Sequence, residues 1–358
     1  MLDQNQACYV GIDIHRYEHT AVAADRFEEE KACLSFANTP EGIKAFLLWL
    51  DKLVKPNQDC VIGMEGANGN GRQLCSFLIP RYQEIYEVNP IQTKQRRDHH
   101  TSKDKSDPID AGLIVEVLTR RLDKLPKITK QDRSAVLRDR EQLLLFHEDI
   151  TRQTTRLKNQ LHQLFHEENS QYHLTKGSPF AKKSLDRWQR YAEYHSHRCQ
   201  NLNCFVIKKK IKQLKQLMET RKQIDEKINL SFDQVPEKNL LTLPGAGYLT
   251  AAKITVAVKG VKRFKNLDAF VKYAGIAPIA RSSGKSQRHK QDKAGNRRLN
   301  TAIYTIALTQ IRCLPVAKAY FAKKVREGKS KKHALRCVMK RTACIVYGML
   351  KNKEDYRN

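Results

Sequence analysis

The chain has 358 residues, and 66 Lys plus Arg against 38 Asp plus Glu give it a formal net charge of +28. That surplus excludes an ordinary neutral metabolic enzyme and points to a polyanionic partner, while 40% hydrophobic residues exclude a wholly disordered basic protein. The longest apolar run, Ala45 to Leu50, is too short to cross a bilayer, and Met1-Leu2-Asp3-Gln4 lacks the pattern of a signal peptide. Nine cysteines without a framework spacing suit a reducing compartment. We therefore expect a cytoplasmic, nucleoid-associated protein with no membrane partner.

The first part of the chain reads as alternating strands and helices. Tyr9 to Ile14 is a short β-branched run carrying an acid, Asp13, near its end; His19 to Ala24 and Ala32 to Phe36 follow as strands. Thr39-Pro40-Glu41 opens a helix, with Thr39 as N-cap and Ile43, Phe46, Leu47, Leu50 and Leu53 on its apolar face. Asp59 to Met64 is a strand ending at Glu65, followed by a glycine-rich turn and a helix lined by Leu74, Phe77 and Leu78. Glu84 to Val88 is a fifth strand, Lys94 to Lys105 reads as a basic mobile loop, and a helix starts at Asp107. Three strands, helix, strand, helix, strand, loop, helix is the order of a ribonuclease H-type domain.

From about residue 131 to 230 glycine and proline nearly vanish and charge rises. Leu143, Phe146, Ile150, Leu157, Leu161, Leu164 and Phe165 fall mostly on a three-four spacing, as do Ile207, Ile211, Leu214, Leu217, Ile224 and Ile228. We expect two long helices joined by a polar segment, Glu168 to Asn203, as a coiled coil that spaces domains or dimerises, or as a solvated pair that does not. Beyond Val235, helices are expected at Leu249 to Val258, around Phe264 to Tyr273, at Leu299 to Leu314 and at His333 to Leu350, with a basic Ser/Gly-rich segment from Ala280 to Arg298. The fold class is thus α/β plus all-α. It has a catalytic α/β domain over residues 1–128, a helical linker over 129–234 and a helical C-terminal domain over 235–358.

Three constellations carry chemistry. Asp13 and Glu65 sit at strand ends, and Asp107 and Asp110 lie three apart at a helix start, so all four can face one crevice. Converging carboxylates repel unless divalent cations bridge them, and oxygen-only ligands suit Mg2+ or Mn2+. Taken singly, Asp107 could be a helix cap and Glu65 a cap of the glycine turn. Leu243-Pro244-Gly245-Ala246-Gly247 resembles a helix-hairpin-helix grip on a nucleic-acid backbone, with Gly245 and Gly247 baring N–H groups, or it is a plain helix-entry turn. Arg281, Ser282, Ser283, Gly284, Lys285, Arg288, Lys290, Lys293, Arg297 and Arg298 form a basic cluster around two serines, read on these residues as a DNA-binding loop more readily than as a nucleophile. The His195, His197, Cys199 and Cys204 spacing matches no standard zinc pattern, and the Gly69–Gly71 pair lacks a full dinucleotide fingerprint.

Tyr9-Val10-Gly11-Ile12-Asp13-Ile14-His15, Met64-Glu65 and Lys105-Ser106-Asp107-Pro108-Ile109-Asp110-Ala111 resemble the DEDD signature of the insertion-sequence one-ten family of transposases, relatives of the Piv-type DNA invertases. The C-terminal Leu243 to Gly247, Tyr273 to Pro278, Ser282-Ser283-Gly284 and Lys293 to Arg298 look like that family's second domain. The resemblance implies a RuvC-like domain in which Asp13, Glu65, Asp107 and Asp110 bind metal. It also implies a nucleophilic serine, Ser283 in preference to Ser282, that forms a covalent phosphoserine link to DNA. It further implies guidance by a structured noncoding RNA that pairs with donor and target DNA, and a dimer of dimers in which one protomer's acids meet another's serine. The rival expectations are a junction-resolving nuclease that activates water and a catalytically silent nucleic-acid-binding protein.

Overall fold

The computed structural model describes residues 3–67, 69–99, 106–129, 135–172, 177–198, 201–233, 235–283, 286–291 and 295–357. The chain forms two compact units, each built from two stretches: residues 1–134 with 259–300, and residues 135–258 with 301–358.

The first unit is built on a five-stranded sheet. Its strands are β1 (Cys8–Ile14), β2 (Glu18–Ala24), β3 (Glu30–Ala37), β4 (Cys60–Met64) and β5 (Glu84–Glu87), in the order β3-β2-β1-β4-β5. The first three strands run antiparallel, whereas β1 with β4 and β4 with β5 run parallel. Helix α1 (Pro40–Leu53) starts where Thr39 accepts a hydrogen bond from the Gly42 amide at 3.2 Å. With α2 (Arg72–Leu78), α1 covers one sheet face, so that Val10, Ile12, Ile62 and Met64 bury against Phe46, Leu50, Leu74 and Leu78. The alternate residues Tyr9 and Val61 face the other way, onto Ala111, Ile114, Val115 and Leu118 of α4 (Asp107–Arg121). Both faces being covered, β1 and β4 are apolar almost throughout.

Two glycines let α4 lie directly on the sheet. Gly11 of β1 and Gly63 of β4 are register partners. A Cβ at Gly11 would stand 2.1 Å from the Ala111 carbonyl oxygen, and one at Gly63 would stand 2.8 Å from Leu118 Cδ1. The expected loop at Lys94 begins instead as a helix, α3 (Pro90–Arg97), because Asn89 and Gln92 form a capping box with Pro90 in the first turn. Residues 100–105 lie outside the described residues.

Beyond it, α5 (Ala135–Glu168), α6 (Lys182–Arg198) and α7 (Leu202–Leu230) belong to the second unit. Arg140 contacts Ser231, Lys210 contacts Gln160 and Cys204 contacts Glu168, so α5 and α7 run antiparallel. Helix α6 occupies the segment expected to be a polar joint. Leu185, Trp188 and Ala192 are its buried stripe, and Trp188 stacks on Phe165 with ring centroids 4.1 Å apart. Near the other end of the pair the Arg140 side chain is buried. It donates to Ser231 Oγ at 3.0 Å and to the Ser231 carbonyl, and it lies 3.9 Å from the Phe232 ring centroid.

Helix α8 (Tyr248–Val258) completes that stretch, and α9 (Leu267–Tyr273) returns to the first unit. The expected basic loop is instead a two-stranded antiparallel hairpin of β6 (Pro278–Ser283) and β7 (Ser286–Gln291). Three further helices close the chain: α10 (Arg297–Cys313), α11 (Pro315–Arg326), which the sequence reading did not foresee, and α12 (Lys331–Asn352). Within the second unit, Gln310 donates to the Pro244 carbonyl at 3.0 Å and accepts from Thr342 at 2.9 Å, which ties α10 to α12 and to the entry of α8. Among the described residues no helix is long and apolar enough to cross a membrane.

Candidate functional site

Asp13 lies one residue before the end of β1, and Glu65 directly follows β4. Because Ile12 and Met64 are parallel register partners, the two acids leave the sheet side by side at the carboxyl ends of adjacent strands, where open α/β sheets bind ligands. Asp107 and Asp110 occupy the first turn of α4, the helix seated on the Gly11–Gly63 pair. Asp107 is not the cap of that helix. Ser106 holds the N-cap position, and no side chain bonds there.

The acids interact. The His15 imidazole Nε2 stands 3.1 Å from Asp13 Oδ2 and 3.3 Å from Asp107 Oδ1. One ligand atom from each of Asp13, His15 and Asp107 falls within 4.8 Å of the others. Burial pushes the Asp13 carboxyl above its ordinary range; His15 draws it back, and the charges of Asp110 and Asp107 push it up again. Burial likewise raises Glu65, opposed by the Thr93 hydrogen bond, with Asp13 and Asp110 adding to the rise and Arg97 opposing it. The four sequence-predicted carboxylates therefore share one electrostatic field.

Three residues at this site carried no role in the sequence reading. Thr93 donates to Glu65 Oε1, and Arg97 makes an ion pair with Asp110 Oδ1. Lying four apart on α3, they share one helix face, so this short helix holds one acid from β4 and one from α4. The Asn89-Pro90 capping signal could have revealed α3. The two-residue phase with Asp13 along an extended strand could have revealed His15.

The other constellations are placed as follows. Gly245 takes a left-handed φ of 88°, and Gly247 precedes α8. The Ala246 amide donates to the Leu243 carbonyl at 2.9 Å and the Gly247 amide donates to Thr250 Oγ1 at 2.9 Å, so both are engaged inside the turn. On the hairpin, Arg281 is the register partner of Arg288, Ser282 of Gln287, Ser283 of Ser286 and Ile279 of Lys290. Gly284, Lys285 and Lys293 lie outside the described residues. Arg297 and Arg298 open α10, whose Leu299 amide donates to Asn296 Oδ1 at 3.0 Å.

Residues 10–169 match the model of the IS110-type DEDD transposases, and residues 237–322 match that of the transposases of the IS116/IS110/IS902 family. The chain belongs to the IS110 family of transposases. An insertion element IS110 protein of 43.6 kDa from Streptomyces coelicolor is 28% identical over 142 residues, 39% of this chain and 35% of that protein. An insertion element IS900 protein of 42 kDa from Mycobacterium paratuberculosis is 32% identical over 119 residues, 33% of this chain and 30% of that protein. These two matches thus span about a third of either relative. An insertion element IS116 protein from Streptomyces clavuligerus is 22% identical along 99% of this chain and 97% of its own length. A pilin gene-inverting protein from Moraxella bovis is 27% identical over 143 residues, 37% of this chain and 44% of that protein.

All four acids of this IS110-family chain, with His15, Thr93 and Arg97, fall inside the first matched segment, and Gly245 and Ser283 fall inside the second. A DEDD-type transposase implies a divalent metal, and the residues present fit one. Asp13 Oδ2 is buried, and the His15 Nε2 that stands 3.1 Å away does not meet it in hydrogen-bond geometry, so among the described residues hard oxygen donors and one imidazole are gathered there without a completed hydrogen bond to that atom.

Proposed function

We propose that the chain is a site-specific DNA transposase that cuts and rejoins DNA through Ser283, with Mg2+ or Mn2+ held by Asp13, Glu65, Asp107 and Asp110. The observation that carries the reading is the meeting of four acids at the ends of β1 and β4 and in the first turn of α4. The strand order β3-β2-β1-β4-β5, with its antiparallel and parallel halves, supports a RuvC-like domain of the ribonuclease H type.

Bound by these carboxylates, a divalent cation supplies Lewis acidity toward a phosphodiester. The chain's own groups do the rest. Thr93 and Arg97 keep Glu65 and Asp110 turned inward. The Ser283 hydroxyl attacks phosphorus, forming a phosphoserine bond and releasing a deoxyribose hydroxyl; reversal with a different hydroxyl rejoins the strand and conserves the bond energy. Ser283, the serine directly before Gly284, is preferred to Ser282 as the nucleophile on the family likeness. The cations Arg281, Lys285, Arg288, Lys290, Lys293, Arg297 and Arg298 hold phosphates, and the Gly245–Gly247 turn approaches the DNA backbone. A structured noncoding RNA selects donor and target, and the working form is a dimer or dimer of dimers in the bacterial cytoplasm. Residues 1–128, 129–234 and 235–358 then serve as catalytic, spacing and serine-bearing segments.

A denaturing-gel trap on nicked substrate tests this. Ser283→Ala abolishes the protein–DNA adduct and strand exchange, and Asp107→Asn abolishes both. Strand cleavage that survives Ser283→Ala but not Asp107→Asn replaces the transposase reading with a water-using nuclease.

A further inference from the structure

His15 is placed by two features acting together. His15 directly follows β1, two residues beyond Asp13, and its Nε2 stands beside Asp13 Oδ2. Helix α4 then brings Asp107 to the same nitrogen, because Gly11 and Gly63 let that helix sit close. A six-coordinate ion with bonds of about 2.0–2.1 Å separates neighbouring donor atoms by roughly 3.0 Å. The His15 Nε2 distances of 3.1 Å to Asp13 Oδ2 and 3.3 Å to Asp107 Oδ1 match that separation. The Arg97 guanidinium beside Asp110 has no lone pair to give; a neutral imidazole has one. Half of the His15 side chain is exposed, so its place here is not a requirement of core packing.

We propose that His15 ligates the metal through Nε2, making Asp13, His15 and Asp107 a mixed nitrogen–oxygen site that takes a transition-metal dication such as Mn2+ in preference to Mg2+. Carboxylates alone discriminate weakly between these ions, whereas imidazole favours the transition metal. This inference rests on the reading of the acids as a metal site and adds a ligand that the four-carboxylate pattern lacks.

The test is Mn2+ titration of the full-length protein, followed by electron paramagnetic resonance, with Mg2+ as competitor. Bound Mn2+ shows nitrogen-14 coupling in the pulsed spectrum, and His15→Ala abolishes it. The same substitution lowers the Mn2+ to Mg2+ affinity ratio by at least about tenfold, the scale on which losing a metal-site partner acts. Asp13→Asn removes binding of both ions. Mn2+ that binds in an Asp13-dependent way without nitrogen coupling, or a ratio unchanged in His15→Ala, overturns the ligand assignment alone. Mn2+ binding that does not depend on Asp13 overturns the carboxylate site and the assignment together.

Discussion

Replacing Gly11 by alanine adds a methyl group where α4 crosses the sheet. The new Cβ would stand 2.1 Å from the Ala111 carbonyl oxygen and 2.9 Å from the Val115 amide nitrogen, both backbone atoms that no rotamer change can move. A carbon and a carbonyl oxygen settle at about 3.3 Å, so α4 must retreat by about 1.2 Å. Overpacking of this kind costs about 1–3 kcal/mol. At about 2–4 °C per kcal/mol for a unit of this size, melting falls by roughly 2–12 °C. The same retreat carries Asp107 and Asp110 away from Asp13 and Glu65, so Mn2+ affinity and strand cleavage fall as well. Gly112→Ala on the same helix is the control, since its Cβ meets nothing within 4 Å. It should gain up to about 1 kcal/mol from helix propensity and keep metal binding. Scanning calorimetry and Mn2+ titration of the two variants decide the matter. If Gly11→Ala melts with the wild type and binds Mn2+ as tightly, the close seating of α4 does not assemble the acids.

Other perturbations reach other parts of the molecule. Arg140→Ala removes a buried fork from the Ser231 carbonyl and hydroxyl and leaves a hole beside Phe232; urea denaturation should show a loss of about 2–4 kcal/mol, and Arg140→Lys should not restore it. Burial holds the His147 imidazole below its ordinary value of 6.5, against the pull of Asp225 at 3.4 Å. The unfolded chain therefore takes up a proton there that the folded chain refuses, and stability is lost as pH falls through about 6.5. His147→Gln should flatten this part of the pH–stability curve between about pH 7 and 5; an unchanged curve would show that His147 titrates alike in both states. Duplex DNA binding should weaken steeply with salt, with a log–log slope of about −0.9 for each phosphate neutralised, and a salt-insensitive complex would detach the +28 charge from DNA.

The parts of the fold that were readable from the sequence are those with local signals. Thr39-Pro40 announced α1, and Asp107-Pro108 announced α4 with its cap placed one residue late, because caps and first-turn prolines act within one turn of chain. Helix α6 escaped because only Leu185, Trp188 and Ala192 form its stripe, among lysines, arginines and histidines that read as a solvated joint. The β6–β7 hairpin escaped because its strands, Pro278–Ser283 and Ser286–Gln291, show no apolar alternation; backbone pairing forms it, which periodicity does not record. At the site, Asp13 was legible because a charge closing an apolar strand needs a partner. Thr93 and Arg97 were not, since their roles exist only once α3 is packed beside Glu65 and Asp110. The link between those acids and Ser283 came from the family likeness and from nothing in the spacing.

The first compact unit takes up the chain twice, at residues 1–134 and again at 259–300. During synthesis about 125 residues separate the two visits, which at 5–20 residues per second is a delay of roughly 6–25 s. Throughout that interval the nascent chain carries Asp13, Glu65, Asp107 and Asp110 without the second stretch of their unit. A product truncated in that window holds Glu87 without Arg263, its ion-pair partner from the second stretch, and its first unit stays unfinished.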